Sequence, residues 1–314
     1  MTKSHNKNLH AAKAARNDEF FTQLSDIENE LKYYREHFRG KTVYLNCDDP
    51  RESQFFHFFS YQFEFLGLKK LISTGYKADG HGVKYVYTGD KNRNNIPDLE
   101  EIEVIELEGT GGFETEECIE LLHEADIIVS NPPFSKFREY VSLLDEHNKK
   151  FLIVGNKNAI TYADIFPLIK NNQLWLGVTS PKEFTVPEGY TAKNVVNGMA
   201  KFGNIGWFTN LEHYCRNEEL IIWKEYNEKD YPKYDNYDAI NVDKVKNIPI
   251  YGDIMGVPIT FMGRHNPEQF EILGMSALAV YDPKIVGIPF LGNKDARPLI
   301  NGKNTYARIF IRRK

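Results

Sequence analysis

The run Asp126-Ile127-Ile128-Val129-Ser130 stops at Asn131-Pro132-Pro133-Phe134, and this stop constrains the fold more than any other stretch of the chain. Three consecutive β-branched residues suit a strand buried on both faces of a parallel sheet. Prolines cannot donate to a ladder, so the strand must end there, at its carboxyl edge. Open α/β sheets bind their ligands at that edge. The segment therefore fixes one amide side chain, stiffens the backbone behind it, and presents an aromatic ring expected to be exposed.

The flanking pattern agrees with such a sheet. Phe20, Leu24, Ile27, Leu31, Tyr34 and Phe38 recur at helical spacing from Asp18 onward, with Gly40 as the C-cap. Thr42–Asn46 reads as a strand, Ser53–Leu66 as an aromatic-rich buried helix, and Lys70–Thr74 as a second strand. Residues 77–100, which include a Val-Lys-Tyr-Val-Tyr strand, read as an excursion from the sheet edge. Then come a strand at Ile102–Leu107, a helix at Glu114–Glu124, the strand 126–130, a helix from Ser135 to His147, and a strand at Phe151–Val154. Further strands are expected at Leu174–Val178, Ile205–Thr209 and Leu220–Trp223. The alternation predicts an α/β fold with a mostly parallel sheet wound on both faces. After Tyr226 the turn-rich Tyr231-Pro232-Lys233-Tyr234-Asp235-Asn236-Tyr237-Asp238 breaks the rhythm, which sets a boundary near residue 224.

The groups gathered after Ser130 suit one chemistry. An exocyclic amino nitrogen on an aromatic base is a poor nucleophile, because its lone pair is delocalised into the ring. The Asn131 side-chain oxygen and the Pro132 carbonyl can accept its two hydrogens and localise that lone pair toward an electrophile. Phe134 can stack on the base, an interaction worth ~1–3 kcal/mol. The bland alternative is an Asn-Pro turn with Phe134 in the core.

This tetrad resembles the catalytic motif of S-adenosylmethionine-dependent amino-methyltransferases, and its final Phe resembles the adenine-N6 branch. Four longer stretches, Asn17–Gln23, Asn46–Ser53, Tyr251–Phe261 and Asn266–Phe270, resemble more specifically the EcoRI-type adenine-specific DNA methyltransferases. The resemblance covers roughly residues 17–314. It implies a seven-stranded methyltransferase sheet with an antiparallel last strand and an appended C-terminal DNA-recognition module. The domain plan that follows is a flexible basic arm at 1–16, a methyltransferase domain at 17–223 and a target-recognition region at 224–314. The implied cofactor is S-adenosylmethionine and the implied substrate is an adenine flipped out of a short specific DNA sequence.

The cofactor residues depart from the usual pattern. No Gly-rich turn follows the first strand. Instead Asn46-Cys47-Asp48-Asp49-Pro50 leads to a helix whose N-terminus can offer amides to the methionine carboxylate. Asp48 or Asp49 can take the methionine ammonium, or both can be helix caps. The acid that normally binds ribose hydroxyls is missing. After the next strand, Gly109-Thr110-Gly111-Gly112-Phe113 keeps only the ring of an Asp-Phe pair, and its glycines allow close backbone approach. The resemblance adds Thr22 and Phe21 near the cofactor carboxylate. The expected cofactor set is Phe21, Thr22, Cys47, Asp48, Asp49, Phe113 and Asn131, and the catalytic set is Asn131, Pro132 and Phe134.

Net charge is −5, yet its distribution allows nucleic acid. Residues 98–126 hold twelve acids and no Lys or Arg, whereas 284–314 hold eight basic residues against Asp295 alone. Lys303, Arg308, Arg312 and Arg313, together with Arg264 in the 231–266 segment, are the expected DNA contacts, and His265 is a second candidate base reader. Three separated cysteines (Cys47, Cys118, Cys215) exclude a full disulfide framework and fit a reducing cytoplasm. The nine histidines show no metal-ligand spacing. No apolar window suggests a membrane span or a signal peptide. The expected state is a monomer acting on double-stranded DNA in the cytoplasm. A cognate restriction endonuclease acting on the same site, outside any complex, is left open. Methylation of RNA adenine or protein glutamine is one alternative. A catalytically inactive DNA-binding relative is another, motivated by the missing glycine loop.

Overall fold

Beginning at Thr42, four parallel strands build the centre of the sheet in a computed structural model that describes residues 21–47, 49–78, 80–94, 96–186, 195–280, 287–289, 291 and 297–314. The chain divides into two compact units, Met1–Lys157 with Gly177–Leu211 and Asn158–Leu176 with Glu212–Lys314. The expected arm at 1–16 lies outside the described residues.

The first unit carries strands β1 (Thr42–Leu45), β2 (Lys70–Gly75), β3 (Val83–Tyr87), β4 (Ile102–Glu106), β5 (Ile127–Ser130), β6 (Lys150–Asn156) and β7 (Ile205–Thr209) in the order β4-β3-β2-β1-β5-β6-β7. Neighbours are parallel from β2 through β1 and β5 to β6, while β3 and β7 run against them. The sheet is mixed and counts eight strands, the two-residue Trp175–Leu176 being the eighth, so the expected seven-stranded, mostly parallel sheet needs correction.

All four residues of β1 and of β5 are buried, as a doubly covered strand requires. Val43, Leu45, Ile127, Val129, Leu152 and Val154 pack on one side against Ile27, Leu31, Tyr34, Phe38, Phe55 and Phe59. Tyr44 faces the other side, beside Cys118 of a helix at Glu116–Glu124. Burial, ahead of the Cys118 contact, pushes its phenol well above the ordinary value.

Several elements depart from expectation for identifiable reasons. The first helix starts only at Leu24, because Phe21–Thr22 pairs as a strand with Phe184 and Thr185, and it is divided into α1 (Leu24–Leu31) and a separate short helix at Arg35–Phe38. Its periodic face survives, with Ile27, Leu31, Tyr34 and Phe38 all buried. The second expected helix is α2 (Gln54–Tyr61) followed by a separate short helix at Phe63–Leu66.

Strand β3 is no excursion from the edge but stands inside the sheet, antiparallel to β2 and β4. A chain that turns back at once can pair only antiparallel, since a parallel return needs a longer crossover. The loop from Asp90 to Glu101 is tied on itself: Glu101 accepts from the Lys91 and Asn92 amides at 2.6 and 3.0 Å. Leu220–Trp223 forms no strand, because the Gln269 side chain captures the backbone of Leu220 at both its N–H (2.8 Å) and its carbonyl (2.7 Å).

The second unit has its own four-stranded sheet of β8 (Ile240–Asn241), β9 (Met255–Pro258), β10 (Phe270–Met275) and β11 (Arg308–Arg313), in the order β8-β9-β11-β10. The turn-rich tyrosines line its core, with Tyr231, Tyr234 and Tyr237 buried and Tyr237 packed on Phe310 at 4.8 Å. A hairpin at Leu299–Ile300 and Lys303–Asn304 closes through Asn301-Gly302, both at positive φ, the residue pair that such two-residue turns favour. No helix among the described residues is long and apolar enough to cross a membrane.

Candidate active site

The parallel pairing of β1 with β5 brings two asparagines to one edge. The register sets Tyr44 opposite Ile128, and each strand is followed at once by Asn, Asn46 after Leu45 and Asn131 after Ser130. The Cys47 amide donates to Ser130 Oγ at 3.1 Å, which ties the two strand ends together directly before Asn131.

Pro132 is buried, and the chain then enters a short 3-10 turn at Phe134–Lys136 that leads into α4 (Phe137–Glu146), preceded in order by α3 (Glu116–Glu124). Phe134 is half-buried and rests against the apolar cluster of Leu45, Val129 and Phe55, not fully exposed as expected.

Asn46 was not anticipated, although its place after a buried strand matches that of Asn131. It is 1 % exposed, and its Oδ1 accepts a hydrogen bond from the hydroxyl of Tyr140 on α4. Its Nδ2 has no hydrogen-bond partner. A buried donor left unmet costs roughly 1–3 kcal/mol, so such an atom marks a place where a ligand can accept. Thr22 presents a second case, at 2 % exposure with an unpartnered Oγ1, on a strand that packs against α2.

Tyr140 also makes an edge-on contact with Phe113, ring centres 5.0 Å apart, and the Lys136 ammonium stands 5.3 Å above the same ring. Lys136 pairs with Glu114 at 2.8 Å, and this hydrogen bond raises the ammonium above its usual value. Burial pushes Glu114 up, but the bond from Lys136 outweighs it and leaves that carboxyl low.

The other cofactor candidates resolve differently. Asp48 lies outside the described residues. Asp49 is not the cap of α2, because Ser53 fills that role by accepting from the Phe55 amide at 3.1 Å. Asp49 is clamped by Arg51, whose Nε donates at 2.8 Å, and lies against Gly75 at the end of β2. Burial opposes ionisation of Asp49, but Arg51 prevails and holds the carboxyl below its usual range.

The Gly109–Gly112 run serves the chain itself. Gly111 sits at φ +76, a Cβ there would lie 2.6 Å from the Gly75 carbonyl oxygen, and one on Gly82 would lie 2.7 Å from the Gly111 backbone. These glycines let two loops touch; their freedom is not reserved for a ligand.

The basic residues of the second unit fall into two groups. Lys303 and Arg313 are exposed, Arg264 is exposed with Glu218 at 3.9 Å, and Arg312 pairs with Glu271 at 2.8 Å. Arg308 is corrected from a surface contact to a core residue. It is 6 % exposed, with Nε donating to Asn241 Oδ1 at 3.2 Å and Nη2 lying 3.7 Å from Asp243. His265 is likewise buried, its ring nitrogen 3.2 Å from the Phe270 carbonyl, which removes it as a base reader.

The Asn131 amide and the Pro132 carbonyl thus stand where β5 ends, with the half-buried Phe134 ring two residues on and the buried Asn46 Nδ2 at the end of the paired β1. The chain belongs to the family described as "Adenine-specific methyltransferase EcoRI", which matches residues 8–314. It is 46% identical to the Type II methyltransferase M.EcoRI of Escherichia coli, over 98% of this chain and 97% of that protein. Type II methyltransferases of Mycoplasma genitalium and Mycoplasma pneumoniae are 40% and 38% identical, each over 96% of this chain and 97% of their own length. No solved structure matches the chain.

Proposed function

We infer that this protein is a DNA adenine-N6 methyltransferase that uses S-adenosylmethionine and acts on an adenine flipped out of a short specific sequence. The observation that carries the reading is Asn131-Pro132-Pro133-Phe134 at the carboxyl end of β5, locked to the end of β1 through Cys47 and Ser130.

Asn131 Oδ1 and the Pro132 carbonyl accept the two N6 hydrogens and turn the nitrogen lone pair out of the ring. Phe134 stacks on the base and holds it once it has left the duplex, where extrusion itself costs a few kcal/mol. Bound S-adenosylmethionine supplies a methyl group already activated by its positive sulfur. Asn131 and Pro132 would hold N6 so that its lone pair could take up that methyl group in place of the sulfur, and the displaced proton would leave N6 to solvent. Most of the acceleration is positioning plus two preset acceptors.

The unmet donors of Thr22 and Asn46 fit a ligand rich in oxygen and nitrogen lone pairs. With Phe21, Cys47, Asp48, Asp49, Phe113 and Asn131 they would hold it. In the second unit, Lys303, Arg312 and Arg313 would contact phosphates and Arg264 would read base edges, while Arg308 supports the strand that carries two of them. The same reading has a monomer working on duplex DNA in the cytoplasm, with any cognate restriction endonuclease acting on that site apart from it.

Single-molecule sequencing of DNA from a host expressing the protein tests the whole reading. N6-methyladenine confined to one short motif is the expected result, and DNA with no added methyladenine overturns it.

A further inference from the structure

The buried amide of Asn46 carries an inference that rests on the methyltransferase reading and names a contact within it. We propose that Asn46 Nδ2 donates a hydrogen bond to the methionine carboxylate of S-adenosylmethionine, and that Tyr140 is the positioning residue that holds the amide in this orientation.

An asparagine amide presents an acceptor on one side and a donor on the other, and a half-turn exchanges them at little steric cost. Here the exchange is disfavoured, because a turned amide would donate to the Tyr140 oxygen and take from the buried hydroxyl hydrogen its Oδ1 acceptor. The Tyr140 hydroxyl donates to Oδ1, which fixes the oxygen toward α4 and leaves both Nδ2 hydrogens directed elsewhere. Tyr140 is itself fully buried and braced edge-on against Phe113. At 1 % exposure Asn46 has no bulk water to satisfy Nδ2. The neighbouring Cys47 amide is already matched by Ser130 Oγ, so the unmet donor belongs to Asn46 and not to a generally open turn.

The cofactor offers lone pairs at its carboxylate, ribose and adenine, while its ammonium has none. The carboxylate is the best match, because a charged acceptor strengthens the bond to a buried amide.

The test is calorimetric titration of the full chain with S-adenosylmethionine and with its decarboxylated analogue. Asn46→Ala should weaken S-adenosylmethionine about tenfold or more, equivalent to about 1.4 kcal/mol, and leave the decarboxylated analogue within about twofold of wild type. Asn46→Asp, which sets an anion against the carboxylate, should weaken S-adenosylmethionine further. Tyr140→Phe should produce a smaller, about threefold, loss confined to S-adenosylmethionine, because the amide is then free to turn.

Since Asn46→Ala strips Tyr140 of its acceptor, the double variant Asn46→Leu with Tyr140→Phe removes both polar partners. It should melt no lower than wild type without ligand, yet bind S-adenosylmethionine as weakly as Asn46→Ala. Equal losses for both ligands overturn the carboxylate assignment. Unchanged affinity in Asn46→Ala overturns the proposal while the methyltransferase reading stands. A wild-type chain that binds neither ligand overturns both.

Discussion

At the end of β1 the Asn46 amide nitrogen is buried with nothing accepting from it, whereas in β11 the buried Arg308 guanidinium is shared between Asn241 and Asp243. Both segments are polar in sequence, and the C-terminal one looks the more functional because its residues are charged. Their surroundings reverse that ranking. A charge matched inside its own unit is part of the scaffold, while an unmatched neutral donor is held ready for something else. Valence left over after folding marks a site better than formal charge does.

Four measurements can break or sharpen this contrast, taken from the largest expected effect down. Asn131→Ala should lower single-turnover methyl transfer by about two to three orders of magnitude, the usual loss on removing a preset transition-state contact. Cofactor affinity by calorimetry should fall far less, about tenfold at most, because Asn131 is one of several residues that would hold the cofactor. Transfer at the wild-type rate would mean that the edge of β5 is scaffold after all.

His265 tests the matched region by pH. Burial lowers its pKa to about 4, with Arg216 and Lys314 also lowering it and the Phe270 carbonyl opposing them. The folded protein therefore holds a neutral ring where the unfolded chain takes up a proton. Stability should be full above pH ~6.5, decline as pH falls toward about 4, and level off below, with a total loss of up to roughly 3 kcal/mol. Urea midpoints across that range should show the decline in wild type and a flatter profile in His265→Gln.

Arg308→Ala should cost about 1–3 kcal/mol in the same unfolding assay, because Asn241 loses a buried donor. Its neighbour Arg312 pairs with Glu271 on the surface, so Arg312→Ala should cost under ~1 kcal/mol. It should instead weaken all duplex DNA alike and flatten the salt dependence of binding by about one unit of slope. If Arg308→Ala leaves stability untouched and only DNA binding suffers, the division into matched scaffold and open contact fails.

Much of this was legible in the chain, and the gaps have physical causes. Ile127-Ile128-Val129 before two prolines announces a buried strand ending at a ligand edge, and the spacing Ile27, Leu31, Tyr34, Phe38 announces a buried face. The family follows from stretches such as Asn46–Ser53. What one-dimensional pattern does not carry is partner choice. Val83–Tyr87 reads as a strand, but nothing in it says that it inserts beside β2. Arg308 looks like Arg312 in sequence, and only the neighbours supplied by β8 separate them. Asp49 resembles a helix cap until Ser53 takes that role and Arg51 claims the carboxylate. Asn46 lacks the Pro-Pro-Phe that marks Asn131, and only its burial and the Tyr140 contact show that a donor is left over.

The insertion of β3 also bears on how the molecule assembles in time. Strands β2, β3 and β4 form a continuous antiparallel meander within residues 70–106, and each pairing closes a short loop. The pairing that brings the two asparagines together joins positions 84 residues apart, as the bond from the Thr42 amide to Asp126 marks. Closing a long loop demands more chain entropy before any contact repays it, and folding rates fall as such contacts come to dominate. The meander should gain order first, and the edge that carries Asn46 and Asn131 should be among the last features to form. Pulse-labelled hydrogen exchange should find the Val83–Tyr87 amides protected before those of Thr42–Leu45, so a newly made chain would be largely folded before it becomes competent to modify DNA.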